Sequence, residues 1–133
     1  MTPVLLLRAE LPACPTSVGT ARHAVTTELR AAGLDDLTDV ATLLTSELAT
    51  NAVRHARTRF RLSVERDGPC LRVEVTDASD EPRRVSPSDP LHDPVTPEPG
   101  GLGLALVTAL ATRWGFEQRR GDGEVVWFEL AAS

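Results

Sequence analysis

The chain has 133 residues, 41% hydrophobic and 25% charged, with a formal net charge of -5. That is enough for one domain, residues 1–133, with its own core and no metal or disulfide staples, and the composition is ordinary for a soluble globular protein. The acidic balance argues against nucleic acid as the main partner, because phosphate binding needs a basic face. No apolar run approaches the ~20 residues of a membrane span, and the short apolar run at residues 4–7 has no basic region before it, as a signal peptide would. The expectation is therefore a cytoplasmic protein that does not engage a membrane. All fourteen basic residues are Arg and none is Lys, which closes the Walker-type phosphate loop and Schiff-base chemistry. Cys14 and Cys70 stand far apart in no motif and read as small apolar fillers; with three His, none at ligand spacing, a zinc site is not expected.

The chain opens with a strand at residues 4–11, ended by Pro12 and Pro15. Thr16 or Ser17 is placed to cap a helix whose apolar positions Val18, Ala21, Val25 and Leu29 recur at helical spacing, and Gly33 stops it. A second helix is predicted from near Asp36, with Asp39 in its first turn, where a carboxylate suits the helix dipole. Val40, Leu43, Leu44, Leu48 and Ala52 give that helix an apolar face. Two alternating strands follow, Phe60, Leu62 and Val64, then Leu71, Val73 and Val75, joined by a turn at Asp67, Gly68 and Pro69. Residues 82–99 hold six of the ten prolines and almost no apolar periodicity, so a long mobile loop is predicted there. Gly100, Gly101 and Gly103 open a third helix, predicted over residues 102–114 and closed by Gly115. A final hairpin, 116–120 and 125–130, turns at Gly121, Asp122 and Gly123. The sum is an α+β sandwich, an antiparallel sheet with helices on one face.

Three groups of residues carry chemistry. Glu47, Asn51 and His55 stand four apart on the second helix and share one stripe. The Asn51 amide oxygen suits Mg²⁺ without adding charge, and Glu47, one turn earlier, could polarise a hydroxyl attacking a terminal phosphate. The same stripe would also serve as a plain solvated face. Asp77 keeps the parity of Leu71, Val73 and Val75, and so points to the buried side, where a carboxylate needs a donor. An adenine amine would serve; so would an Arg or the amides of the next turn. Last, the glycines at 100, 101 and 103 allow close backbone approach to phosphates at a helix N-terminus.

The segments Glu47-Leu-Ala-Thr-Asn51-Ala-Val-Arg-His55-Ala, Val73-Glu-Val-Thr-Asp77 and Gly100-Gly-Leu-Gly103-Leu-Ala-Leu-Val resemble the N, G1 and G2 boxes of the histidine-kinase-like (GHKL) ATPases. The resemblance covers nearly the whole chain and is closest to the anti-sigma factor serine/threonine kinases, in which this domain stands alone. It implies a two-layer Bergerat-type fold, with ATP and Mg²⁺ held between helices and a lid, here residues 82–99. Glu47 is then the general base, Asn51 the Mg²⁺ ligand and Asp77 the adenine-recognising acid. Gly100, Gly101, Leu102, Gly103 and Leu104 lie along the phosphates, and Ser79 extends the adenine side. Arg54 and His55 match the first box by position, with packing and nucleotide contact both open.

Two departures stand out. The G1 box usually continues with glycines, whereas here Ala78, Ser79, Asp80 and Glu81 follow Asp77. In the last strand many members carry a Thr near the adenine, a place that falls here to Val125. The resemblance implies a transcription regulator that binds a sigma factor and phosphorylates a serine on an anti-sigma factor antagonist, as a homodimer in much of the family. The alternatives are a nucleotide-gated module that sequesters its partner without catalysis, and an α+β domain that binds no nucleotide.

Overall fold

Strict alternation sets the middle of the sheet. In β2 (Arg59–Asp67) and β3 (Cys70–Asp77) the side chains of Phe60, Leu62, Val64, Leu71, Val73 and Val75 are buried, and register puts them all on one face. The computed structural model describes residues 2–55, 59–77, 101–119 and 123–132, with the backbone alone for 101–104 and 119. Around this hairpin stand β1 (Val4–Pro12), β4 (Arg113–Arg119) and β5 (Gly123–Ala131). The order is β1-β2-β3-β5-β4, and every neighbouring pair is antiparallel. Three helices, α1 (Thr16–Ala31), α2 (Asp35–His55) and α3 (Gly101–Leu110), pack on the apolar face. Ala21, Val25 and Leu29 of α1, Leu44 and Leu48 of α2 and Val107 of α3 join one core with Phe60, Val73, Phe128 and Leu130 of the sheet. The α+β sandwich expected from the sequence is the fold observed.

The helix ends show which local signals hold. Gly33 adopts φ +74°, and around it Gly33 N–H donates to the Arg30 carbonyl at 3.1 Å and Leu34 N–H to the Leu29 carbonyl at 2.9 Å. That pair of bonds is a Schellman motif, sealed by burial of Leu29 and Leu34 together. Arg66 Nη1 donates to the Ala32 carbonyl at 3.2 Å, tying the same helix end to the sheet. The expected cap at the other end of α1 is not made. Pro15 is the N-cap residue and no side chain caps the helix; the Ser17 hydroxyl instead donates to the Pro12 carbonyl at 2.6 Å. Pro12 itself ends β1, an edge strand, where a missing N–H does no harm.

Three further expectations are corrected. Helix α2 begins at Asp35, and its buried face is Thr38, Ala41, Leu44, Thr45, Leu48 and Ala49; Leu43 is 41% exposed. Small residues win the central positions because α1 lies close alongside, near enough for the Thr26 and Thr42 hydroxyls to sit 3.0 Å apart. Helix α3 stops at Leu110, and Trp114 and Gly115 belong to β4. Gly115 is a strand glycine rather than a helix stop: it pairs with Trp127, whose ring lies 3.0 Å from where a Cβ would sit. Finally, β5 starts at Gly123, two residues before Val125, with φ +81° at that glycine.

The face away from the helices is polar and paired. Arg72 lies 4.1 Å over the Trp127 ring, and its Nε and Nη1 donate to Glu74 at 2.7 Å and Glu129 at 3.2 Å. Arg113 Nε donates to Glu129 at 2.7 Å. Burial alone would raise the Glu129 pKa; the Arg113 and Arg72 hydrogen bonds outweigh it and hold the carboxyl below its ordinary value.

Two stability tests follow. Thr45 is fully buried and its Oγ1 has no hydrogen-bond partner, so Thr45→Val should raise stability by about 1 kcal/mol in urea unfolding. Glu129→Gln should lower stability at pH 7 by about 1–2 kcal/mol, Arg113 adding little of this because its side chain is 68% exposed. A carboxylate with a depressed folded pKa stabilises above its unfolded value of about 4.3 and loses that stabilisation as pH falls. The gap between wild type and Glu129→Gln should therefore close as unfolding is repeated at successively lower pH, from 5 towards 2.

Candidate functional site

Register carries Asp77 to a definite place. It pairs with Phe60 and shares the helix-covered face with Val75 two residues before it. Phe60 is wholly buried while Asp77 is half-buried, so the carboxylate stands at the rim of the core. One row inward, Val75 pairs with Val126 and Val126 with Phe116. Val126 is half-buried and Phe116 is 55% exposed. Burial thus falls away across β5 and β4 toward one corner of the sheet, the corner nearest Asp77.

The same register corrects the expectation for Val125. It pairs with Thr76, so it lies on the face away from the helices; Glu124 and Val126, on either side of it, are on Asp77's face. Counting back by twos from the core residues Phe128 and Leu130 gives this parity, a signal present in the sequence.

Helix α2 brings the second group. Thr42, bonded to α1, marks one flank of this helix. Asn51 comes nine residues later, which at about 100° per residue is half a turn round, and Glu47 and His55 share its stripe. The sheet takes one face of α2 and α1 one flank; α3, which also packs on α2, is left with the flank of Glu47, Asn51 and His55. All three are half-buried, and Arg54 is exposed. The helix ends at His55, four residues before Arg59, a link of at most about 14 Å. Because Phe60 pairs with Asp77, the C-terminal end of α2 and Asp77 belong to the same end of the sandwich.

The backbone of Gly101, Leu102, Gly103 and Leu104 forms the first turn of α3. The first four N–H groups of a helix have no intrahelical acceptor and favour an anion. Ser79, Gly100 and the lid at 82–99 lie outside the described residues. The donors present fit a Mg-nucleotide: an acid beside an apolar sheet face for an amine-bearing purine, a neutral oxygen for a hard cation, and a glycine-led helix start for phosphates.

Among the described residues, a separate concavity of about 250 Å³ lies on the far face and at the far end, lined by Cys70, Arg72, Arg113 and Glu129 among others. Arg72 and Arg113 are both paired there with Glu129. Cys14 and Cys70 are half-buried free thiols outside the core cluster, and among the described residues no group of His, Cys, Asp and Glu could hold a metal. Among the same residues no helix is long and apolar enough to cross a membrane.

An antiparallel sheet with helices on one face, a carboxylate at one corner and a polar helix flank beside it is the layout of an ATP-binding α+β domain. The family model of the histidine kinase-like ATPase domain matches residues 11–130, and the chain belongs to that family. Membership implies ATP binding, usually with Mg²⁺. No curated protein matches the chain with significance.

Proposed function

We propose that the chain binds Mg-ATP at this corner and works as an anti-sigma-type regulator, a protein serine kinase acting on an anti-sigma factor antagonist. The observation that carries the reading is the half-buried pair Glu47 and Asn51 on the flank of α2 opposite α1. Asp77 recognises the adenine amine, and Asn51 offers its amide oxygen to Mg²⁺, which when bound neutralises charge on the phosphates. The backbone at Gly101 and Gly103 holds the phosphates, while Arg54, His55, Ser79, Gly100, Leu102 and Leu104 complete the candidate set. Glu47 takes the proton of the incoming serine hydroxyl, whose oxygen bonds to the terminal phosphorus as the bond to the ADP oxygen breaks. The partners on this reading are a sigma factor and its antagonist.

A second reading, a nucleotide-gated binding module without catalysis, draws support from the lack of glycine at residues 78–81. The two part on transfer: both require ATP binding, and only the first requires phosphate to move.

Calorimetric titration of the whole chain should show ATP binding that strengthens with Mg²⁺, and Asn51→Ala should lose that dependence on Mg²⁺. Asp77→Asn should weaken binding by about 1.5–3 kcal/mol, the worth of one hydrogen bond to a charged group. Glu47→Ala should spare binding and abolish transfer of radiolabel to an antagonist protein. Absence of ATP binding in the wild type would end both readings. Binding without transfer to any antagonist would leave the module, and partner affinity indifferent to nucleotide would remove that too.

A further inference from the structure

We infer that two copies of the chain pair through the outer edge of β1, the two strands running antiparallel about Ala9 and joining both sheets into one of ten strands. Neither Asp77 nor the polar stripe of α2 takes part. Strand β1 stands first in the order β1-β2-β3-β5-β4, so among the described residues nothing pairs with its outer edge. A register shift between Leu5 and Leu7 interrupts that edge on one side, and Pro12, which has no N–H, ends it on the other. From Leu7 to Leu11 the pairing with β2 is regular. Leu7, Ala9 and Leu11 pair with Val64, Leu62 and Phe60, all wholly buried on the helix-covered face, yet are themselves only half-buried. The core reaches the edge of the sheet half covered, beside backbone groups that form a template for a further strand.

Charge and alternation select a second β1 as that strand. Residues opposite each other in an antiparallel pair share a face, so odd positions must meet odd and even meet even. With Ala9 opposite the partner's Ala9, Leu7 meets the partner's Leu11 on the helix side. On the far side Arg8 meets the partner's Glu10, and the two-fold axis makes each of these pairs twice. The neighbouring registers fail on charge. One sets Arg8 against the partner's Arg8 and the other Glu10 against the partner's Glu10, and like charges directly opposite are destabilising. Both groups have room for the match. Arg8 is exposed and makes no ion pair among the described residues. Glu10 lies 3.4 Å from Arg61 and 4.0 Å from Arg59 on the β2 side, and 47% of its side chain remains exposed. The axis is perpendicular to the sheet, so the helices of both copies share one face. Asp77, Phe60 and Leu11 stand in one row, which puts the two Asp77 corners at opposite ends of the joined sheet.

The test uses the full chain without nucleotide. Light scattering over a range of concentrations should give twice the 14.3 kDa of one chain. Arg8→Glu and Glu10→Arg should each weaken dimerisation about tenfold or more, because two attractive pairs become two repulsive ones. Each variant should keep the circular dichroism of the wild type. Mixed in equal amounts, the two variants carry opposite charges at both positions and should recover a heterodimer. In a chain carrying Cys14→Ser and Cys70→Ser, Ala9→Cys should close a disulfide to its own copy on mild oxidation, since opposite Cα atoms lie about 4.5–5.5 Å apart. A wild type that stays monomeric overturns the inference. So does a dimer indifferent to both charge reversals, or a pair of folded variants that remain apart on mixing. None of these outcomes touches the nucleotide reading.

Discussion

Burial of one face of the sheet under three unequal helices is the constraint on which the rest of the molecule depends. Helices α1 and α2, sixteen and twenty-one residues long, run over the β1, β2 and β3 side. Helix α3 has ten residues, about 15 Å, against nine-residue strands of about 30 Å. Its end is fastened to β5, where Thr112 N–H donates to the Glu129 carbonyl at 2.8 Å. A short helix pinned at one end of a long strand covers that end: Phe128 and Leu130 are buried, Val126 only partly, and Phe116 is 55% exposed. Among the described residues, cover over the sheet thus thins toward the Asp77 corner, where the candidate site stands.

The other face meets the opposite demand. With no helix of the described residues over it, it carries charge, and charge in a half-buried sheet needs partners. Arg72 is the hinge of that solution. It reaches a carboxylate on its own strand and one on the next, and stacks on Trp127, which in turn fills the space left by Gly115. The long Arg stem and the indole shield the sheet while the charged ends stay paired. One face is therefore spent on stability, and the only half-buried acid on the helix side of β3 is left for chemistry.

Much of this was legible in the sequence because two periods were clean. Alternation in β2 and β3 and helical spacing in α1 gave elements, face and core together, and Gly33 marked a stop that the backbone uses. What failed was every inference from a single residue with two meanings. Ser17 reads as a cap but bonds to a strand carbonyl. Gly115 reads as a helix stop but makes room for an indole, a partner twelve residues away in the chain. Leu43 reads as core but points away, because the neighbouring helix sets the rotation of α2 and no window of α2 alone contains that neighbour. In the site, the spacing of Glu47, Asn51 and His55 predicted a shared stripe, and only the Thr26–Thr42 contact says which flank it is.

The order of residues along α2 bears on the choice between kinase and binding module. The helix runs toward the Asp77 end, so outward from Asp77 come His55, then Asn51, then Glu47, each about 6 Å further along the axis. On the proposed reading the base of the nucleotide lies at Asp77 and its phosphates extend away from it. A metal ligand then belongs in the middle of the series and a proton acceptor at the far end, where the last phosphate meets an incoming hydroxyl. A module that only senses nucleotide needs the first two stations and has no use for a half-buried carboxylate at the third. Glu47 stands half-buried at that third station, the place where the kinase reading requires a proton acceptor and the binding-module reading requires nothing.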